Sequence, residues 1–237
     1  MRKFALVLTS LTIAASAQAQ QGPSAGDIAG YLALSMTPAG AMAPTVSNAM
    51  LGRVSKSYEI AGRYGHLSDA YNSFGVSASM PVSGFTLGAT LGYLSPSCTG
   101  CDGNMTLGLN GETNFGAMRI GDGKDASKIT FGARGDFGWA NPKDAGVSAT
   151  ALGLSAGVPV TLVAKSGNMV FAPFVTPGFG WGRISSGGAS ESGTRPMLGA
   201  GLGLQNISNG WGVSVGMQKT FIDQGKSVIG FNVSYGK

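Results

Sequence analysis

The sequence predicts an all-β fold: an antiparallel up-and-down transmembrane β-barrel of about ten strands. Three observations predict it. After Ser57, apolar residues alternate with small or charged ones at a period of two along most of the chain, which describes strands with two unlike faces. The faces opposite the apolar ones are built from Gly, Ser and Thr, and only 11% of residues are charged. A water-soluble surface needs about a quarter to a third. The alternating runs also reach the roughly nine to eleven residues that a tilted strand needs to cross a bilayer's hydrocarbon.

The stretch Ile129–Trp139, ITFGARGDFGW, carries the pattern most clearly. Ile129, Phe131, Ala133, Phe137 and Trp139 share one face with Gly135, and Thr130, Gly132, Arg134, Asp136 and Gly138 share the other. In a membrane barrel the first face meets lipid and the lumen takes Arg134 and Asp136. A soluble β-sandwich also alternates, but its strands run to about five or six residues. The longer runs favour the barrel. So do Phe115, Trp139, Trp181, Trp211 and Tyr235, which fall near strand ends, where membrane barrels carry aromatic girdles.

Residues 1–19 read as a secretory signal peptide: Arg2-Lys3, the apolar run Phe4 to Ala15, then Ala17-Gln18-Ala19. The mature chain is expected to begin near Gln20. No later apolar run is long enough for a membrane-spanning helix. With 43% hydrophobic residues, 11 Phe, 6 Tyr and 3 Trp, the chain folds rather than staying disordered. Its 40 glycines lie inside alternating runs rather than at every third position, which excludes collagen.

The formal charge of +5 becomes +3 without Arg2 and Lys3, too small and too scattered for nucleic acid. Cys98 and Cys101 stand in SPSCTGCDGN, with no second CxxC and with His66 the sole histidine. In an exported chain this spacing favours a loop-clamping disulfide over a redox pair or half a metal site. No cofactor and no metal are expected. The glycines do not open a helix after a strand as a P-loop requires, and no carboxylate cluster has ligand spacing.

Taken in order, Gln20 to Lys56 is rich in Ala, Met, Ser and Pro. Tyr31 to Met36 and Val46 to Leu51 read as short strands or helical turns within it. The whole segment, 20–56, reads as a periplasmic arm or a plug for the lumen, and 57–237 as the barrel. In the first strand Tyr58, Ile60 and Tyr64 oppose Glu59, Ala61 and Arg63. In the second Phe74, Val76, Ala78 and Met80 oppose Gly75, Ser77 and Ser79, and Val82-Ser83-Gly84 turns into Phe85 to Tyr93.

After the cysteine loop, Met105, Leu107, Leu109, Thr113 and Phe115 oppose Thr106, Gly108, Asn110, Glu112 and Asn114. The turn at Gly121 to Asp125 precedes Ile129–Trp139. Ser148 to Val158 is a weaker strand, and Met169 to Ile184 carries Pro173 and Pro177, which predict a bend. Leu198 to Leu204, Trp211 to Gln218 and Ile229 to Tyr235 complete ten. Eight or twelve are the neighbouring counts, because Gln20–Lys56 and Val158–Met169 do not declare themselves. An even count returns the C-terminus to the side of the first strand. With both termini periplasmic, the connections at His66–Asn72, the cysteine loop, Asn141–Asp144, Ser185–Thr194 and Ile222–Lys226 are extracellular.

Ser57 to Lys237 resembles the small outer-membrane β-barrel proteins of Gram-negative bacteria. The last strand, Gly230-Phe-Asn-Val-Ser-Tyr235, is similar to the C-terminal signal read by their assembly machinery: a glycine, then alternating hydrophobic Val233 and Tyr235. It differs in ending Gly236-Lys237 and in having Val228 where a polar residue is usual. The resemblance implies an outer-membrane location and a monomer. Its implied partners are outer-membrane lipid and lipopolysaccharide, with the barrel-assembly machinery during biogenesis. It implies no particular activity.

Two constellations carry candidate chemistry. Glu59, Arg63, Glu112, Arg134 and Asp136 all have inward parity. Charges inside a barrel must pair or be hydrated, so they form either a salt-bridge cluster bracing the interior or a gate or selectivity ring in a narrow pore. Neighbouring inward positions are mostly Gly and Ser, leaving space for water or a plug.

The second constellation is Arg63-Tyr-Gly-His66-Leu-Ser68-Asp69-Ala70. His66 and Ser68 share the lipid face near the extracellular end, and a Ser beside a His becomes a nucleophile when a third group orients the imidazole. This resembles the His-x-Ser-Asn-Ala motif of outer-membrane lipid A 3-O-deacylases, which implies His66 as base and Ser68 as nucleophile. Asp69 stands where that motif has Asn. The sequence reading is a non-catalytic barrel, structural or a narrow passive channel. A serine esterase acting on lipid A and surface recognition through the extracellular loops are the alternatives.

Overall fold

A computed structural model describes residues 24–42, 58–97, 102–122, 126–144, 147–222 and 225–236. Two helices come first, α1 (Ala25–Ser35) and α2 (Pro38–Ala41). Twelve strand segments follow: β1 (Glu59–Leu67), β2 (Tyr71–Val82), β3 (Phe85–Pro96), β4 (Asn104–Ile120), β5 (Ser127–Ala140) and β6 (Lys143–Asp144), then β7 (Val147–Gly157), β8 (Val160–Ser166), β9 (Met169–Ser186), β10 (Ala189–Asn206), β11 (Trp211–Thr220) and β12 (Ser227–Gly236).

Chain neighbours pair antiparallel throughout the barrel. The first and last strands then meet, from Glu59↔Gly236 to Leu67↔Val228, and the sheet closes. β7 and β8 form one barrel strand. The register Arg134↔Gly157 on β5 continues as Phe131↔Val160, and Gly157↔Gly178 on β9 continues as Val160↔Val175. Pro159 interrupts the segment without breaking the ladder: Gly132 N donates to Pro159 O at 3.0 Å, and Val158 N donates to Pro177 O at 2.9 Å. β6 pairs only with the start of β7 and lies outside the ring. The result is a closed, ten-stranded antiparallel barrel.

The strand expected to end at Phe115 runs on to Ile120. A bulge between Asn114 and Gly116, where Asn114 Oδ1 accepts Gly116 N at 3.0 Å, shifts the register by one. The outward positions therefore move from Leu107 and Leu109 to Met118 and Ile120. That change of phase is why the sequence pattern stops there.

The outer face is apolar. Phe74, Val76, Leu91, Leu109, Phe115 and Phe231 are each half exposed or more, and their neighbours on the same face are of the same kind. Soluble proteins rarely expose apolar patches beyond a few hundred Å², so this belt requires hydrocarbon and the barrel spans a membrane. Among the described residues no helix is long and apolar enough to cross; the strands do it. At the closing seam Tyr64 stands between Phe74 and Phe231, with ring centroids at 5.3 and 5.2 Å. Such pairs each contribute about 0.5–1.5 kcal/mol beyond their area.

Connections after β1, β3, β5, β9 and β11 open at one end, here the loop mouth. The turns after β2, β4, β8 and β10 lie at the other, the turn mouth, together with the start of β1 and the end of β12. Inward positions are small and polar: Ser73, Thr130 and Thr161 are almost wholly buried. Apolar packing inside is confined to small clusters, one of which joins Leu67, Tyr71, Leu94 and Val228 to Ala41.

Candidate functional site inside the barrel

Residues 24–42 lie against the inner wall of the loop-mouth half. The sequence accounts for the local shape. Ser24 caps α1: its hydroxyl accepts from Asp27 N, and the Asp27 carboxylate accepts Ser24 N at 3.0 Å. The helix stops at Ser35 because Pro38 drives Thr37 into an extended conformation, φ −115° and ψ 157°. Thr37 Oγ1 donates back to Leu34 O at 3.0 Å. The stretch Tyr31–Met36, read from sequence as a short strand or a turn, is therefore the second half of a helix. Val46–Leu51 lies outside the described residues.

Glycines let the backbones approach. A Cβ at Gly30 would sit 2.6–2.7 Å from the Gly193 backbone, and one at Gly182 would collide with Gly30 O. Leu34 lies over Gly180, Thr37 over Gly138 and Gly153, Pro38 over Gly108, and Met42 over Gly75 and Gly92. The inward glycines are thus occupied space on this side. Polar tethers fix the segment: Asp27 pairs with Arg195, Ser73 Oγ donates to Ala41 O at 2.7 Å, and Lys226 N donates to Tyr31 Oη at 3.2 Å. None of these partners was suggested by the sequence, because each joins residues far apart in the chain.

The five charges of inward parity all lie on the lumen side, from mid-barrel to the turn mouth. Arg134 forms a bidentate pair with Asp136, Nε to Oδ2 at 2.9 Å and Nη2 to Oδ1 at 2.8 Å. The two side chains are 12% and 14% exposed. Ser155 Oγ donates to Asp136 Oδ2 at 3.2 Å. Glu112, 3% exposed, stands opposite Arg134 in the β4–β5 register. Across the lumen, Arg63 faces Asn232 and Gly75 in register, and Glu59 marks the turn mouth.

Two narrow, water-sized clefts border the cluster. One is lined by Arg134, Asp136, Ser155, Thr176 and Gln218, the other by Glu59, Gln205, Ser214, Asn232 and Ser234. Ser214 Oγ and Asn232 Oδ1 are buried there without a hydrogen-bond partner among the described residues.

The His66–Ser68 constellation sits outside the barrel wall at the loop mouth. Asn72 Oδ1 accepts the Tyr64 hydroxyl at 2.8 Å and faces His66 Nδ1 at 2.9 Å. Because an amide oxygen only accepts, that contact calls for a proton on Nδ1. The Ser68 hydroxyl donates to Asp69 Oδ2 at 3.2 Å rather than to the imidazole. Asp69 adopts φ 57° in the turn. Its carboxyl is held below the usual range by the hydrogen bond from the Lys226 ammonium and then by that from Ser68. Lys226 Nζ also donates to Ser68 O at 2.8 Å. This is a turn clasped to the neighbouring β11–β12 connection. Cys98 and Cys101 lie outside the described residues. Among the described residues no group of three or more His, Cys, Asp or Glu side chains has the placement to hold a metal ion.

No protein-family model matches the chain, and no curated protein matches its sequence. Among solved structures it is similar to the N-terminal β-barrel domain of Pseudomonas aeruginosa OprF, with 12% identity, TM-score 0.37, 78% of this chain and 100% of that one covered. It is also similar to Ail, the attachment invasion locus protein of Yersinia pestis, with 15% identity, TM-score 0.36 and 76% and 97% covered. The outer membrane enzyme PagL gives 14% identity, TM-score 0.38 and 75% and 97% covered. At these scores the likeness says nothing of activity, and this chain's own residues carry the functional reading.

Proposed function

We propose that the protein is a non-catalytic outer-membrane β-barrel whose lumen is plugged at the loop mouth by its own segment 24–42, leaving a structural barrel with only narrow passive permeability. The observation that carries this reading is the seating of α1 and α2 on the inward glycines, with Asp27 on Arg195 and Ala41 on Ser73. Toward the turn mouth the paired charges and the buried Ser214 and Asn232 describe a hydrated constriction. Closure of β1 on β12 leaves no free strand edge around the ring, which suits a monomer in lipid and lipopolysaccharide. The engagement of Ser68 by Asp69 favours the non-catalytic reading over the esterase.

Deleting residues 25–42 and recording single-channel currents in a planar bilayer tests the plug. The expected result is a clear rise in conductance for the deletion, with the barrel still folded by its heat-modifiable migration in gels. An unchanged current from a folded deletion would refute the plug.

A further inference from the structure

The two ends of the described chain stand at different mouths. Gly26 lies against Ser192 O, and a Cβ there would sit 2.8 Å from it. Ser192 is on the part of β10 that projects beyond β11, whose ladder begins at Met197↔Thr220. Gly30 then meets Gly193, Leu34 meets Gly180, and Thr37 meets Gly138 and Gly153. Along the β9–β10 hairpin, whose tip is at 187–188, the contacts at Ser192, Gly193 and Gly180 lie successively further from the tip. α1 therefore starts at the loop mouth, with its first residue outermost. β1, by contrast, starts at the turn mouth beside the end of β12, at Glu59↔Gly236.

Two separate contacts hold the helix in this direction. Asp27 pairs with Arg195, a side chain only 9% exposed. Tyr31 Oη accepts Lys226 N from the β11–β12 connection at 3.2 Å. The capping box fixes the first turn at Ser24. A reversed helix would put Asp27 deep in the barrel, away from Arg195, and would lose both contacts with the wall.

We infer that the barrel holds Ser24 and the start of α1 at the cell surface, while the C-terminal strand ends on the periplasmic side. The barrel then presents the first turn of α1 outward at its loop mouth, not toward the periplasm. The inference rests on the proposed outer-membrane placement only for which mouth faces outward; that α1 starts at the loop mouth is independent of it.

Single cysteines in a Cys98→Ser, Cys101→Ser background, labelled with a membrane-impermeant maleimide on intact and on permeabilised cells, test it. Ala25→Cys reports the helix start, Ala189→Cys the loop mouth and Ser208→Cys the turn mouth; all three positions are exposed. Heat-modifiability confirms that each variant is folded. The expected result is labelling of Ala25→Cys and Ala189→Cys on intact cells, with Ser208→Cys labelled only after permeabilisation. Failure of Ala25→Cys to label on intact cells that label Ala189→Cys would overturn the inference. Labelling of Ser208→Cys, and not Ala189→Cys, on intact cells would instead overturn the assignment of the mouths, and the surface display with it.

Discussion

Replacing Arg134 by Met separates a braced lumen from a wet one. The substitution keeps much of the side-chain volume and removes the guanidinium that makes a bidentate contact with Asp136, at 2.9 and 2.8 Å. It also strips Glu112, 3% exposed, of the cation opposite it in register. Asp136 keeps the Ser155 hydroxyl at 3.2 Å. With the paired side chains 12% and 14% exposed, the interaction sits near the buried limit, where removing one partner costs about 3–5 kcal/mol. That is roughly two to three and a half powers of ten in the folding equilibrium.

Urea unfolding of the lipid-reconstituted protein, followed by tryptophan fluorescence, measures it. Asp136→Leu and the double variant complete a cycle that isolates the pairwise part, expected at about 0.5–3 kcal/mol. A loss for Arg134→Met below about 1 kcal/mol, the range of solvated surface pairs, would refute the reasoning. The cluster would then be water-filled and free to act on permeating ions.

Two other outcomes follow from the same geometry. Gly182→Leu puts a side chain where Gly30 O and Leu34 N now lie, so it should expel α1 while sparing the β7–β9–β10 ladder. Conductance should rise toward that of the 25–42 deletion, and a variant that conducts like the parent would sink the glycine-packing account. Ser68→Ala should leave lipid A unchanged by mass spectrometry in overexpressing cells, just as the parent does. Loss of a hydroxyacyl chain with the parent alone would make Ser68 a nucleophile and end the non-catalytic reading.

The strands were legible because lipid and lumen impose opposite demands on alternate residues. Arg134 and Asp136 could be placed inward from parity alone. The pattern failed where the backbone departs from strict alternation. The Asn114–Gly116 bulge inverted the phase of β4, and Pro159 hid the continuity of β7 and β8, which only the ladder on β5 and β9 reveals. α1 was hidden for another reason. Gly26 and Gly30 are poor helix formers, and their value lies in contact with Gly193 and Gly182, more than a hundred residues away. The Ser68–Asp69–Lys226 clasp was equally invisible, since local spacing offered His66 as the nearer partner.

The seam between β1 and β12 has a consequence for the order in which the molecule is made. Every other ladder of the ring joins strands adjacent in sequence and forms as a hairpin, with little loop entropy to overcome. The seam alone must bring together residues at opposite ends of the barrel sequence, so it closes last and slowly. Segment 24–42 precedes β1 in the chain, yet it lies inside the finished ring. Lateral entry through the open seam is free before closure; afterwards the segment could enter only by passing end-on through a mouth. Tyr64, Phe74 and Phe231 thus act as a latch on a one-time event: once their rings stack, the contents of the barrel are committed.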